Sequence, residues 1–292
     1  MILERVAEYK DNSCWQYHIR AELLDEDMTV LEYNKEYLDN LRVADFDFVC
    51  VTDKLERGNI TKFIKRYEWL GTLSLYTTHW YACYHKGIMA GAILFNMPNA
   101  FSKLLGEDTK YLERLISRGA CASWTPKNLA SAFLMWSINH MTINTQYRLF
   151  TAYSDPMAKE LGTIYQACSF LYLGQKAGTT TRYINPYTGK VVSDRFFRVR
   201  SAYKKYAKEL NIEWQKGWNS DTKMLWDNIP NKIEAQLRAQ SKLKQATSEK
   251  IVVPSKHKYA FVKGRNKKET KELRKLFATR NKLYDYPKER GV

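Results

Sequence analysis

From about residue 46 the apolar positions switch repeatedly between two rhythms, the every-second-residue spacing of strands and the three-and-four spacing of helices. "DFDFVCVT" predicts a strand, and "NITKFIKRYEW" a helix behind an asparagine cap. "LSLYTTHWYACYH" is β-rich, and "GIMAGAILFNMP" predicts a buried strand ended by proline. "YLERLISRGACAS" predicts a further strand, followed by a long helix in "WTPKNLASAFLMWSINHM". Thr125 suits that helix's N-cap and Pro126 its first position. Leu129, Phe133, Trp136 and His140 then recur along one face. "YRLFTAYSD", "PMAKELGTIYQACS" and "FLYLGQ" read as strand, helix and strand. "TTRYINPYTGKVVSDRFF" reads as a hairpin turning at Pro-Tyr-Thr-Gly. The succession predicts an α/β (α+β) fold, a mixed central sheet flanked by helices with strand–helix–strand crossovers.

On either side the texture differs. Residues 1–45 read as an N-terminal appendage, with "TVLEYNKEYLDNL" an amphipathic helix and no chemistry of its own. Residues 46–200 form the sheet domain. Residues 201–292 read as mainly helical, in "SAYKKYAKELNIEWQKGW", "NKIEAQLRAQSKLKQA" and "NKKETKELRKLF", with one short strand, "KHKYAFV".

Charge sharpens this division. Residues 1–194 carry 21 Lys and Arg against 21 Asp and Glu, whereas residues 195–292 carry 26 against 10. The whole excess of +16 therefore lies in the last third, the footprint expected for a polyanionic partner. Trp214, Trp218, Trp226, Tyr259, Phe261 and Phe277 interleave with those charges, so the basic region is expected to fold.

The remaining composition mainly excludes. An apolar share of 45% and an aromatic share of 14% are those of a globular chain. The longest apolar runs, such as Gly87 to Phe95, fall short of a membrane span, and "MILER" lacks the marks of a signal peptide. A cytoplasmic protein is expected, with oligomer formation open. Cys14, Cys50, Cys83, Cys121 and Cys168 are scattered without C-x-x-C spacing, which predicts free thiols and no metal site.

The order of elements resembles the GNAT acetyltransferase fold. The phrases "FIKRYEWLGT", "RGACASWTPKNLASAF", "AYSDPMAKELGTIYQACSFLYLG" and "KHKYAFV…YDYPK" resemble the Mom family of bacteriophage DNA-modification proteins. That resemblance, over roughly residues 46–290, implies a transferase that hypermodifies adenine in DNA at N6. The group added is of glycinamide (carbamoylmethyl) type and protects phage DNA from restriction. It also implies a central strand at 111–122 splayed from its neighbour at 147–154, the donor lying in the wedge between them. Typical members of the fold hold the donor pyrophosphate on a glycine-rich loop, where this chain has "RGACASWTPKN" with a single glycine. The donor is left as acyl-CoA or an aminoacyl-tRNA-type compound, so double-stranded DNA is the expected partner and tRNA a second. Two other readings stay open: an ordinary acyl-CoA-dependent N-acetyltransferase of a small molecule or protein, and a non-catalytic DNA-binding protein on this scaffold.

In the resemblance Tyr165 takes the place of the residue that protonates the leaving group. Asp155, before Pro156, suits either a helix N-cap or a base for the adenine amine. Ser154 suits donation to the donor's oxygen, and His79 a base near neutral pH. Arg118, at the end of the central strand, needs a partner if buried. Ser123, Lys127 and Asn128 precede the long helix, whose N-terminus favours anions, and with Arg118 form the expected donor-binding set. Glu160 reads equally well as helix surface, and Trp80 or Trp124 as core or as a platform for a flipped base. Lys256, His257, Lys258, Arg265, Lys267 and Lys268 suit phosphate contacts.

Overall fold

The computed structural model describes residues 13–74, 76–98, 103–178, 180–189, 191–221 and 223–288. Among them the chain divides into two compact units, one built from residues up to Ala177 together with those from Ser255 onward, the other Gly178–Pro254. The boundaries drawn from sequence at 45 and 200 therefore differ from this division at both ends.

The first unit opens with helices α1 (Trp15–Leu31) and α2 (Lys35–Asn40). The single helix expected across this region is interrupted at Glu32, which adopts φ 55°, and Asn34 caps a fresh start by accepting from the Tyr37 amide. α1 is no appendage. Ile19 and Leu23, one turn apart, are buried in the main core.

Strand β1 (Asp47–Val51) leads into α3 (Lys54–Tyr67), capped by Asp53 rather than by an asparagine. β2 (Thr77–His85), β3 (Ile88–Asn96) and β4 (Glu113–Cys121) follow as an antiparallel meander. α4 (Leu129–Asn144) begins later than Thr125 and Pro126 suggested, because the Thr125 hydroxyl donates back to the Ala122 carbonyl instead of capping the helix. Leu129, Phe133, Leu134, Ile138 and Met141 make its buried stripe, with Trp136 and His140 half-buried beside it. β5 (Leu149–Ser154) runs parallel to β4.

The helix expected over "PMAKELGTIYQACS" is also broken. A short 3₁₀ turn at Pro156–Ala158 ends on Lys159 at φ 56°, and α5 (Thr163–Ala167) begins only after Gly162 at φ 72°. Gly162 has a second reason to lack a side chain, since a Cβ there would lie 2.5 Å from the Tyr259 ring. β6 (Leu171–Ala177) follows.

The chain then leaves for the second unit. Its strands β7 (Thr181–Ile184), β8 (Val191–Val192) and β9 (Lys250–Val252) make a three-stranded sheet in the order β8-β7-β9. Helices α6 (Arg200–Glu209) and α7 (Asn231–Thr247) bury Ala202, Tyr203, Tyr206, Ala207 and Leu237 in a core of their own.

The first unit is completed by β10 (Lys256–Val262) and α8 (Lys267–Arg280). The "KHKYAFV" strand lies within the main sheet, whose order is β1-β2-β3-β4-β5-β10-β6. α4 and α3 cover opposite faces of that sheet. Phe48 meets Phe133 and Trp136 on one side, while Tyr84, adjacent to Phe48's cross-strand partner Cys83, donates to Glu56 on the other.

The feature that positions the site is a change of partners in mid-sheet. β4 and β5 pair from Glu113↔Leu149 to Ile116↔Ala152 and no further. Beyond that point β4 stays with β3 and β5 stays with β10. The β3–β4 register slips at Ser117, whose hydroxyl donates to the Leu94 carbonyl and to Asn96 Oδ1. Two adjacent parallel strands thus separate and leave a wedge between their C-terminal ends.

Candidate functional site

Each wall of the wedge carries polar side chains. On the β4 side, Arg118 donates from Nε to the Thr72 carbonyl at 2.6 Å, and its Nε lies 3.8 Å from Glu68 Oε1. Glu68 is buried and accepts from the Gly71 amide at 2.7 Å. On the β5 side, Asp155 Oδ1 accepts from the Met157 amide, and Oδ2 lies 2.7 Å from the Lys256 ammonium. The break at Lys159 turns Glu160 inward. Its Oε2 accepts from the Asp155 amide at 2.9 Å and its Oε1 from the Trp69 indole at 2.8 Å. Trp69 therefore bridges the loop after α3 to the loop after β5. Tyr165, from α5, packs on Tyr259 and Phe170.

These groups perturb one another. Burial first, then the Glu68 and Asp155 carboxylates, push Glu160 up to about 7 against the two N–H bonds it receives. Burial also raises Glu68, with Arg118 opposing. Tyr165 is raised by burial and then by the Glu160 and Glu68 carboxylates, so its phenol holds its proton at neutral pH. Ser154 is 2% exposed, and its Oγ has no hydrogen-bond partner among the described residues. A carboxyl poised near neutrality, a protonated phenol and a guanidinium in one cleft can exchange protons and hold an anion. Sequence reasoning gave Arg118, Ser154, Asp155 and Tyr165 a place here; it left Glu160 as helix surface and passed over Glu68 and Trp69.

The other expected donor-binding residues are arranged differently. Ser123 is buried, and its hydroxyl donates to Asp27 Oδ2 at 2.5 Å. Asp27, only 4% exposed on α1, also accepts from Arg66 at 2.8 Å and from the Tyr67 hydroxyl at 2.9 Å. Arg20, two turns earlier, donates to the carbonyls of Ser123 and Thr125. The loop before α4 thus spends its hydroxyl and two carbonyls on α1, and only Lys127 and Asn128 remain exposed.

His79 is not a base near neutral pH. Burial, followed by Arg114, Arg57 and His140, pushes it down to about 4, and its ring packs on Tyr147 rather than on the wedge. Trp124 is core, packed on Tyr33 and Phe46. Three of the residues expected to touch phosphates are otherwise engaged. Lys256 pairs with Asp155, and Lys258 is half-buried 5.9 Å from the Tyr153 ring, its ammonium lowered by burial. His257 is 4% exposed and bonded to the Tyr172 hydroxyl at 2.7 Å, inside the sheet and away from any surface role. Arg265, Lys267 and Lys268 do lie exposed, at the start of α8, where Lys263, Lys271 and Arg274 join Arg265 and Lys267 along one groove. None of the five cysteines forms a disulfide, and no three metal-ligating side chains converge among the described residues. No helix of the described residues is long and apolar enough to cross a membrane.

A profile of the Mom protein family matches residues 51–288, from β1 through the wedge to the segment beyond α8. The chain belongs to the Mom family. No curated protein matches this Mom-family chain in sequence. Among solved structures it is similar to a ribosomal L7/L12 α-N-protein acetyltransferase, RimL, in complex with coenzyme A. There the identity is 9% and the TM-score 0.38, over 76% of this chain and 96% of that one. An IAA acetyltransferase from Bacillus cereus ATCC 14579 has 10% identity and a TM-score of 0.36, covering 75% and 99%. A GNAT family acetyltransferase from Elizabethkingia anophelis with acetyl-CoA bound has 9% and 0.33, covering 75% and 99%. At such scores the Mom-family chain's own wedge carries the argument about its chemistry.

Proposed function

We propose that this chain is a transferase that modifies adenine in DNA at N6, adding a glycinamide (carbamoylmethyl)-type group that protects the DNA from restriction. The observation that carries this reading, beside family membership, is the wedge. Glu160 and Tyr165 offer a proton acceptor and a proton donor beside the Arg118 guanidinium, at the point where two parallel strands part. The adenine amine is a weak nucleophile because its lone pair is conjugated with the ring, so removal of its proton during attack accelerates transfer. The base must leave the duplex to reach such a cleft. Phosphate contacts from Arg265, Lys267 and Lys268 supply affinity without sequence choice. The loop before α4 departs from the glycine-rich pattern of typical members of the fold, so no step is assigned to a coenzyme A donor, and a glycine-derived donor supplies the two carbons and the nitrogen of the expected adduct.

The test is mass spectrometry of nucleosides from plasmid DNA of cells expressing the protein. A modified deoxyadenosine, with resistance of the plasmid to restriction cleavage, is the expected result. Unmodified deoxyadenosine in those cells, with the protein folded and abundant, would sink the reading.

A further inference from the structure

Two carboxyl groups flank the turn after β5, and the sequence points to Asp155 as the one that takes the proton. The structure distributes the tasks otherwise. Asp155 Oδ2 sits 2.7 Å from the Lys256 ammonium and Oδ1 receives the Met157 amide, an arrangement that locks the end of β5 to β10 and starts the 3₁₀ turn. Glu160 lies five residues on. The peptide turns back at Lys159, bringing its carboxyl over the Asp155 amide and under the Trp69 indole. Each oxygen receives one N–H, which fixes the carboxyl in orientation and leaves each oxygen a second lone pair.

We propose that Glu160 is the residue that accepts the proton of the attacking amine, with Trp69 and the Asp155 amide holding it and the Asp155–Lys256 pair fixing the strand end. This assignment rests on the transferase reading above. The groups that act on it are Glu68 and Trp69 from the loop after α3, Asp155 from the turn and Tyr165 from α5, while Arg118 from β4 and Lys256 from β10 act in turn on Glu68. Two carboxylates face it, and the Lys256 ammonium of β10 is already paired with Asp155. That field, with burial, brings the carboxyl to the neutral range a base requires.

The step balances as follows in atoms and electrons. The N6 lone pair forms a bond to the methylene carbon that carries the carbamoyl group of an activated donor, and the bond from that carbon to its leaving atom breaks. The electron pair departs with the leaving atom, which takes the hydroxyl proton of Tyr165, while the N6 proton passes to Glu160. Return of one proton from Glu160 to the Tyr165 phenolate, directly or through water, restores both groups.

The test compares Glu160→Gln, Glu160→Asp and Asp155→Asn in full-length chains, reading modified deoxyadenosine in plasmid DNA by mass spectrometry. Folding is checked by circular dichroism and melting. The expected pattern is a loss on the order of a hundredfold for Glu160→Gln, partial activity for Glu160→Asp, and a change of only a few-fold for Asp155→Asn. Activity of Glu160→Gln within a few-fold of wild type overturns the assignment, as does an equal loss in Asp155→Asn. If Glu160→Gln fails to fold, carbon-13 NMR of the glutamate carboxyls in wild type decides instead. A resonance titrating near neutrality supports the assignment, and none above the ordinary range overturns it. Absence of modification in wild type would count against the transferase reading, a result distinct from all of these.

Discussion

Replacing Glu160 by glutamine changes how stability depends on pH, whatever the reaction. The carboxyl is moved from an ordinary 4.5 up to about 7, principally by burial. That interval corresponds to about 3 kcal/mol favouring the protonated form in the folded state. The sign follows. Between those two values the folded chain binds more protons than the unfolded chain, so wild-type stability is greatest below about 4.5 and declines until about 7. Glutamine carries no charge to desolvate, although it accepts from only one of the two N–H donors and turns its amide toward the other. A constant penalty of about 1 kcal/mol is expected from that mismatch. Urea denaturation at pH 5 and pH 8 should therefore show wild type losing roughly 2–3 kcal/mol more than the variant over that range. Glu68, also raised by burial, is present in both chains and largely drops out of the difference. Parallel stability–pH curves for the two chains would refute the idea that Glu160 is buried in a repulsive field.

Three further outcomes are expected. Tyr165→Phe keeps the ring packed on Tyr259 and Phe170, so its melting temperature should hold while modified deoxyadenosine falls about a hundredfold; full modification would return Tyr165 to a packing role. Gly162→Ala meets both a left-handed backbone and the Tyr259 ring, so it should lose on the order of 2–4 kcal/mol in denaturant, and a neutral result would contradict the turn geometry. Replacing Arg265, Lys267 and Lys268 together by alanine should lower the slope of log affinity for duplex DNA against log salt by up to about 3; an unchanged slope would place the DNA elsewhere.

The strands were legible because alternation survives in any partner arrangement, and "DFDFVCVT", "YRLFTAYSD" and "KHKYAFV" all proved to be strands. Partnership was not legible. Nothing in the spacing of Lys256–Val262 says that it enters between β5 and β6, since a strand's period is the same wherever it pairs. Glu160 read as helix surface for a related reason. In "PMAKELGTIYQ" it falls on the polar side of an ideal helix, and only the left-handed residues Lys159 and Gly162 turn it inward. Gly162 was the visible hint, a glycine within a helical pattern. Asp27 gave a clearer signal. Of the three acidic residues in "LLDEDMT" it alone continues the four-residue steps of Ile19 and Leu23, a charge on an apolar stripe that calls for buried partners.

The clamp made by α1 also bears on where the folding unit begins. The family match begins at residue 51, yet Gln16 holds the Tyr67 carbonyl and the Trp69 amide, and Asp27 holds Ser123, Tyr67 and Arg66. A chain cut back to the shared segment would keep Trp69 and Glu160 but lose the struts that set their spacing. The matched segment and the folding unit are thus different lengths of the same polypeptide. Trp69 and Ser123 answer to residues outside the matched segment, so a substitution in α1 reaches the wedge through them.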